Sequence, residues 1–248
     1  MSYLFTVSPD FTPDHLSGWY IFNTWLQRQT EAAIHLEVYD NFHCQRKAIE
    51  KDSVDLIYAN PYDATMLIRD KGFLPLVKPV GVSDEAIIAV SMNNSAEDVA
   101  HLSGKISVAF TDDPDVRMMG MIMLEPGDFD SSNMDLKTVD TYVLVAKEIM
   151  QGNCDVGIFL AEAFDSLSIM VKKQLRILVR SEISVIHHSL MLGPKLAERR
   201  DEFQQILLEM NANDKGKGVL DSLGFSGWEV YDEEEAEFMI DLMDTLLM

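Results

Sequence analysis

The chain has 248 residues, and 20 lysine and arginine residues against 41 aspartate and glutamate residues give it a formal net charge of −21. This acidity argues against a free-standing nucleic-acid-binding protein and against adsorption to an anionic membrane, because both need a basic surface. Apolar residues make up 47% of the chain, which is enough for the core of one large domain or of two smaller ones.

The two cysteines, Cys44 and Cys154, are too few for a disulfide framework or for a four-cysteine zinc site. Residues 1–9 have no basic segment followed by a long apolar run, and no stretch reaches the ~20 apolar residues of a membrane span. We therefore expect a cytoplasmic protein without membrane insertion, or a periplasmic one if a signal peptide has been removed.

The first half of the chain predicts strands that alternate with helices. Apolar residues alternate at 4–8 and 34–39 and run continuously at 54–59 except for Asp55, whereas Leu16, Trp19 and Leu26 recur at helical spacing. Pro61 suits the first position of a helix, and Gly72 suits its end. Turn residues fill positions 8–14 and predict a loop. The predicted strands are 4–8, 34–39, 54–59, 74–79 and 85–92, and the predicted helices are 15–29, 44–51 and 61–71.

The second half continues the same alternation. Ser95 is a plausible N-cap for a short helix, and residues 111–115 form a loop that enters a helix ending at 123. The predicted strands are 106–110, 135–140, 155–160, 175–181 and 185–192. The other predicted helices are 95–102, 141–151, 162–172, 194–210, 216–227 and 233–247. This order indicates a mostly parallel sheet covered on both faces, and the number of elements favours two lobes.

Residues 49–63 and 149–165 resemble each other. In both segments a helix ends in a polar turn, an aspartate follows, an apolar strand comes next, and an aromatic–Asp pair is expected to open the next helix. The similarity either arises by chance, because every βαβ series repeats the same order of elements, or indicates two lobes with the same topology. In the second case each lobe presents the carboxyl ends of its strands, where ligands bind in open α/β sheets.

Five stretches, in order, span nearly the whole chain and carry a resemblance to a known family. They are VDLIYANPY at 54–62, LSGKISVAF at 102–110, MQGNCDVG at 150–157, SEISVIHH at 181–188, and the tail at 207–225. On these residues the sequence resembles the phosphonate/phosphite/phosphate-binding family of ABC-transporter substrate-binding proteins, which have a type II periplasmic-binding fold.

The resemblance implies an α/β fold with two Rossmann-like lobes around a central cleft. Two extended crossover strands, expected at 85–92 and 185–192, would join the lobes. Lobe one would comprise residues 1–85 and 190–248, and lobe two residues 86–189. The resemblance further implies a small-molecule ligand in the cleft, with no cofactor, no metal and no catalysis.

The resemblance also implies where ligand-binding residues lie. An aromatic residue after the second strand falls near Asp40 and Phe42, and one after the third strand matches Tyr58 or Tyr62. The helix N-terminus that holds an oxyanion falls at Thr111–Val116. A loop position often occupied by histidine falls at 140–142, where this chain has Tyr142 instead of a histidine. An acidic residue in the following strand matches Asp155.

The segment matched to the oxyanion site departs from what an anion needs. A helix N-terminus binds anions through hydroxyls and free N–H groups, but this chain has Asp112, Asp113, Pro114 and Asp115 there. We expect Asp113 to be the N-cap and Asp115 to lie in the first turn, where the helix dipole favours a carboxylate. At ~4 Å each carboxylate would repel an added anion by about 1–4 kcal/mol. The sequence therefore predicts weak or no binding of methylphosphonate and phosphite.

These carboxylates leave two interpretations open. Together with Asp40 they form either a pocket for an amine or a hard cation such as Ca²⁺, or helix caps and a solvated acidic rim. Tyr58, Tyr62, Trp19 and Tyr142 are the aromatic residues that would wall such a pocket.

Two adjacent histidines, His187 and His188, lie on a predicted crossover strand. Neighbouring strand residues face opposite sides, so the pair does not readily chelate one metal ion. We expect one of them to face the cleft, the alternative being a hydrogen-bonded hinge histidine. The candidate ligand-binding set is Asp40, Phe42, Tyr58, Tyr62, Thr111, Asp112, Asp113, Asp115, Tyr142, Asp155 and His187.

Three functions remain open on the sequence. The first is a non-catalytic small-ligand-binding protein that acts as a sensor or receptor with altered ligand specificity and reports to a signalling or transporter protein. The second is a cytoplasmic biosynthetic enzyme on the same fold, with His187, His188 or Asp155 as its acid–base group. The third is an ordinary transport receptor without its signal peptide.

Overall fold

The structure is a computed structural model that describes residues 2–10, 15–51, 53–130 and 132–247. Part of the loop predicted at 8–14 therefore lies outside the described residues. The chain divides into two compact units, Met1–Val82 with His187–Thr245 (unit 1) and Ser83–Ile186 with Leu246–Met248 (unit 2). It passes between the units at 82/83 and 186/187, whereas the lobe boundaries expected from the sequence were 85/86 and 189/190.

Strands and helices alternate along both units. The strands are β1 (Ser2–Val7), β2 (Ala33–Leu36), β3 (Leu56–Ala59), β4 (Leu74–Pro79), β5 (Ala86–Ser91), β6 (Ile106–Phe110), β7 (Met134–Thr138), β8 (Val156–Leu160), β9 (Leu175–Arg180), β10 (Ser189–Leu192) and β11 (Trp228–Val230). The helices are α1 (Leu16–Thr30), α2 (Phe42–Glu50), α3 (Pro61–Lys71), α4 (Pro114–Leu124), α5 (Tyr142–Met150), α6 (Ala161–Ser166), α7 (Ile169–Lys172), α8 (Arg200–Leu208), α9 (Asp214–Leu223) and α10 (Glu233–Leu247).

The two sheets share one topology. Sheet 1, in unit 1, has the order β11-β4-β10-β3-β1-β2, and sheet 2, in unit 2, has the order β7-β6-β8-β5-β9. In sheet 1, β1 pairs in parallel with β2 and β3, and β10 runs antiparallel to β3 and β4. In sheet 2, β6 pairs in parallel with β7 and β8, and β5 runs antiparallel to β8 and β9. This mixed α/β fold with two sheets confirms the predicted fold class.

Each sheet contains an antiparallel strand that follows a passage of the chain from the other unit, and in sheet 1 the edge strand β11 also runs antiparallel to its neighbour β4. β5 comes shortly after the chain enters unit 2, and β10 shortly after it re-enters unit 1. Each strand inserts next to the central parallel strand, β8 or β3. The sequence segments predicted as crossover strands thus become antiparallel members of the two sheets.

In each sheet, one carboxylate fixes the start of the central strand. Asp55, just before β3, accepts a hydrogen bond from the Leu4 amide of β1 at 2.9 Å, and its own amide donates to the Leu4 carbonyl at 2.8 Å. Asp155, just before β8, accepts from the Ser107 amide of β6 at 2.8 Å and donates to the Ser107 carbonyl at 2.9 Å. The similarity of 49–63 to 149–165 in the sequence therefore reflects one structural role, used once in each unit.

Local signals set several helix ends as the sequence predicts. At the start of α3, the side chain of Asn60, which precedes Pro61, accepts a hydrogen bond from the Asp63 amide. At its end, Gly72 adopts the left-handed region at φ 65°. A residue with a Cβ atom is strained in that region, so glycine suits the position. On α1 the residues Trp19, Phe22 and Leu26 are buried in the core of unit 1.

Two predicted helices are shorter than expected, because polar side chains accept hydrogen bonds from backbone amides in these segments. At 95–102 only Val99–His101 is helical, as a 3-10 turn, and Asp98 rather than Ser95 caps it. At 162–172 the chain forms α6 and α7, and Ser168 caps the second by accepting from the Val171 amide. Such side-chain bonds to the backbone compete with a continuous helix.

The C-terminal predictions also need correction. The strand predicted at 185–192 starts only at Ser189, and the helix predicted at 194–210 is a 3-10 helix over Pro194–Arg199 followed by α8. The helix predicted at 216–227 ends at Leu223, because Gly224 adopts φ 75°. Strand β11, which is only three residues long, was not predicted.

No helix within the described ranges has both the length and the apolar character needed to cross a membrane.

We predict that Asp55→Ala destabilises the protein more than Asp155→Ala. Both changes remove an acceptor for a strand amide, but Asp55 is buried and also pairs with Lys195 at 2.8 Å, whereas Asp155 is exposed. We expect a loss of about 1–3 kcal/mol for Asp55→Ala and about 0.5–1.5 kcal/mol for Asp155→Ala. Urea unfolding followed by far-UV circular dichroism measures both. An equal or larger loss for Asp155→Ala would contradict the role of burial.

Candidate functional site

The carboxyl edge of sheet 1 brings polar and aromatic side chains together where β1 and β3 end and β10 begins. Asp10 Oδ2 lies 3.0 Å from His188 Nε2. The His188 ring stacks on Tyr58, with centroids 5.3 Å apart and planes 23° apart. Asn60 donates to Ser8 Oγ at 3.3 Å. These residues, Ser8, Asp10, Tyr58, Asn60 and His188, form what we call the Asp10–His188 cluster.

Asp10 is an ionised carboxylate inside this cluster. Burial raises the pKa of Asp10, but the charge of His188 and hydrogen bonds from His188 and Ser8 lower it, and the resulting pKa is below its ordinary value of 3.8. The side chains are only 3% (Asp10) and 13% (His188) exposed. Asp10 and His188 therefore form a buried ion pair at this edge and not a surface ion pair.

Two predicted aromatic residues, Phe42 and Tyr62, flank one guanidinium at the starts of α2 and α3. Arg46 lies over the Phe42 ring at 5.3 Å and over the Tyr62 ring at 5.1 Å. It also binds both oxygens of the buried Asp63, at 2.7 and 3.2 Å. Asp40 is exposed and precedes the N-cap of α2, Asn41.

In unit 2 the N-terminus of α4 is occupied by the protein's own carboxylate. Asp113 caps the helix by accepting from the Val116 amide at 3.3 Å, as the sequence predicts. The Tyr142 hydroxyl donates to the other Asp113 oxygen at 2.8 Å. Asp113 is buried. Pro114 has no amide hydrogen, so the first turn offers fewer donors than an ordinary helix N-terminus.

The other predicted residues of this segment differ in burial. Thr111 and Asp115 are buried, and Asp112 is exposed. Thr111 Oγ1 has no hydrogen-bond partner among the residues that the structure describes. Within those residues, no group of three or more histidine, cysteine, aspartate or glutamate side chains is arranged to hold a metal ion.

A further carboxylate, Glu85, fixes the segment by which the chain leaves unit 2. Its side chain accepts hydrogen bonds from the Ser181 hydroxyl and from the amides of Ile183 at 3.1 Å and Ser184 at 2.7 Å. Ser184 adopts the left-handed region at φ 60°. Because Glu85 takes the amides of residues 183 and 184, this segment does not extend β9, which ends at Arg180.

Two predicted site residues are outside the Asp10–His188 cluster. Asp155 is at the amino end of β8, where its carboxylate also accepts from the Ser107 hydroxyl at 2.7 Å. His187 borders the cluster, since its Nδ1 lies 3.2 Å from the His188 carbonyl oxygen, and its ring packs edge-on against Tyr231 at 5.1 Å. The roles of Asp155 and His187 in ligand binding stay predictions.

Four residues of these groups were not predicted as ligand-binding residues from the sequence: Asp10, His188, Arg46 and Glu85. Asp10 and Arg46 had a usable signal, because Asp10 follows the first strand and Arg46 lies one helical turn after Phe42.

A family model for the periplasmic phosphonate substrate-binding protein of ABC transporters matches residues 5–236. The chain belongs to this family. The family's members are periplasmic, which gives no support to the cytoplasmic location expected from the sequence.

Solved structures show the same fold. Phosphonate-binding PhnD1 from Prochlorococcus marinus, in complex with methylphosphonate, aligns with a TM-score of 0.83 at 12% identity, covering 99% of this chain and 98% of that one. XAC2383 from Xanthomonas citri, bound to chloride, aligns at 0.80 and 13% identity, covering 99% and 98%. A binding protein of an ABC phosphonate transporter from Pseudomonas aeruginosa aligns at 0.79 and 14% identity, covering 98% and 86%.

No curated protein sequence matches this chain. The family and the structural relatives together identify a type II periplasmic-binding fold and support a ligand-binding role.

We predict that Glu85 stabilises unit 2 only above acidic pH. Burial raises the pKa of Glu85, but hydrogen bonds from Ser181, Ser184 and Ile183 lower it below its ordinary value of 4.5. A carboxyl group with a lowered pKa stabilises the fold above its unfolded pKa and loses that effect as the pH falls through its folded pKa. Glu85→Gln should therefore lower the free energy of unfolding at neutral pH, and the difference should shrink below pH 4.5.

Urea unfolding of wild type and Glu85→Gln at several pH values measures this difference. Glu182→Gln, which removes one exposed charge from the same segment, is the matched control. A Glu85→Gln deficit that is constant down to pH 3 would show that the charge is not what matters.

We predict that Asp113→Ala costs about 1–2 kcal/mol of stability, because it removes the α4 cap and leaves the Tyr142 hydroxyl without this acceptor. Asp113→Ser keeps a capping oxygen and should cost less. Chemical unfolding monitored by circular dichroism compares the two variants with wild type. Equal losses in both would mean that capping is not the main contribution of Asp113.

Proposed function

We propose that the chain is a non-catalytic small-ligand receptor or sensor whose specificity has moved away from simple phosphonates. The observation that carries the proposal is the Asp113 carboxylate at the N-terminus of α4. That helix end is the position at which the family resemblance places the ligand's oxyanion. A transporter or a signalling protein would be its partner.

The position is unfavourable for a second anion on two counts. The Val116 amide and the Tyr142 hydroxyl, two donors an oxyanion would use, already bind Asp113. Asp115 lies in the same first turn, so an anion would meet two buried carboxylates. At ~4 Å and an effective dielectric constant of about 20, each repels a unit anion by about 4 kcal/mol.

The relatives support a change of ligand on this fold. One was solved with methylphosphonate, whereas the Xanthomonas citri relative was solved with chloride and with ATP. Different ligands therefore occur on this fold, as is usual for widely used scaffolds.

An enzyme on the same scaffold is the second candidate. The Asp10–His188 pair is the observation that favours it, because a carboxylate that orients an imidazole is a common general-base arrangement. We prefer the binding function, because the family consists of substrate-binding proteins. Turnover of any ligand found by binding would decide for the enzyme.

We predict that wild type binds methylphosphonate with a Kd weaker than about 1 mM, or ~4 kcal/mol, in isothermal titration calorimetry. Asp113→Ser with Asp115→Ser should strengthen binding measurably, though only in part, because Pro114 still lacks an N–H group. Asp112→Ser, which removes an exposed carboxylate from the same segment, is the control and should change little.

Micromolar binding of methylphosphonate by wild type would overturn the proposal. A folded double variant that still binds nothing would show that the carboxylates do not close the site, and would favour a different ligand position. Circular dichroism establishes that the double variant is folded.

A further inference from the structure

We propose that the carboxyl edge of sheet 1 holds the hydrogen-bond-donating group of the ligand, an ammonium or another N–H group, on Asp10 and Gln45. The inference rests on the proposed function, because it names the ligand chemistry that a non-phosphonate receptor of this sequence would recognise.

The first observation is an unused oxygen on a buried carboxylate. Asp10 Oδ2 pairs with His188, but Asp10 Oδ1 has no hydrogen-bond partner among the described residues. An ionised carboxylate only accepts hydrogen bonds, so the partner of this oxygen must be a donor. Leaving a buried acceptor unpaired is costly, and native structures rarely do so without a reason.

The second observation is a second unused acceptor at the end of the same strand. Gln45 is fully buried on α2, and its Nε2 donates to the Val7 carbonyl at 2.7 Å and to Thr6 Oγ1 at 3.2 Å. The Val7 carbonyl accepts only, which fixes the amide orientation. Gln45 Oε1 then has no partner within the described part of the chain.

Both oxygens belong to side chains anchored where β1 ends. Gln45 is held by Thr6 and Val7, and Asp10 follows the end of β1 by three residues and pairs with His188. A group with several N–H bonds can satisfy more than one acceptor, which an oxyanion cannot do. The His188 ring, which stacks on Tyr58, binds Oδ2 of Asp10 and leaves Oδ1 for the donor group of the ligand.

The experiment uses methylammonium as the probe and tetramethylammonium as its matched control. The two cations carry the same charge, but only methylammonium has N–H donors. The imidazole signals of His188, assigned by their loss in His188→Gln, are followed by NMR during each titration. We expect methylammonium to shift them saturably and tetramethylammonium to leave them unchanged.

Two variants localise the effect. Asp10→Asn should raise the half-saturating methylammonium concentration at least about tenfold, because the amide removes the negative charge. Asp55→Asn changes a buried carboxylate at the opposite edge of the same sheet and should leave it unchanged. If Asp10→Asn is unfolded by circular dichroism, the comparison of the two cations on wild type still decides.

Three results would overturn the inference. They are no saturable shift of the His188 signals in wild type, an equal response to both cations, and an equal response of wild type and a folded Asp10→Asn variant. The first result would mean that only water satisfies the two acceptors. Methylphosphonate binding by the same sample overturns the proposed function instead, so the two failures are distinguishable.

Discussion

Each sheet of this chain depends on a carboxylate placed immediately before its central strand. All residues of β3 and β8 are buried. A strand covered on both faces is apolar throughout, so alternation of polar and apolar residues does not specify its register. Asp55 and Asp155 supply that information, since each binds both the amide and the carbonyl of one residue on the neighbouring strand. The alignment of every later residue in β3 and β8 follows from this first pair.

Because the register is set alike in both sheets, the same positions reach the carboxyl edge in each unit, and there the chemistry diverges. In unit 2 the edge is closed by Asp113, which takes the donors at the α4 N-terminus. In unit 1 the edge carries one oxygen of Asp10 and one of Gln45 that have no hydrogen-bond partner among the residues the structure describes. The two edges therefore differ in chemistry, although the scaffold is common to both.

Local chemistry made much of the fold predictable. Pro61 begins α3, Gly72 ends it, and Asp113 caps α4. These effects are local, since each residue acts through its own backbone conformation or through a hydrogen bond to a residue three positions away. The family followed from five motifs in the right order. The 3-10 turn at 99–101 and the break between α6 and α7 were not predicted. There the side chains of Asp98 and Ser168 accept hydrogen bonds from backbone amides, and the spacing of apolar residues does not reveal such bonds.

The candidate site was less predictable because it depends on which end of a strand a residue occupies. Asp155 was selected by its motif, and the sequence left open whether its likeness to Asp55 had a structural meaning. The pairing of His188 with Asp10 was not predictable, because Asp10 lies 178 residues from His188 in the sequence. No local pattern connects residues so far apart, since only the insertion of β10 beside β3 brings them together.

The two units differ in intrinsic fluorescence because the aromatic core of unit 1 contains the tryptophans. All three tryptophans, Trp19, Trp25 and Trp228, belong to unit 1. The Trp19 ring centroid lies 4.7 Å from that of Tyr58, and the Tyr58 ring also stacks on His188. A change at Asp10 is therefore only two aromatic rings away from an indole. Intrinsic fluorescence thus reports on one sheet edge, while the α4 N-terminus lies in a unit that holds no tryptophan.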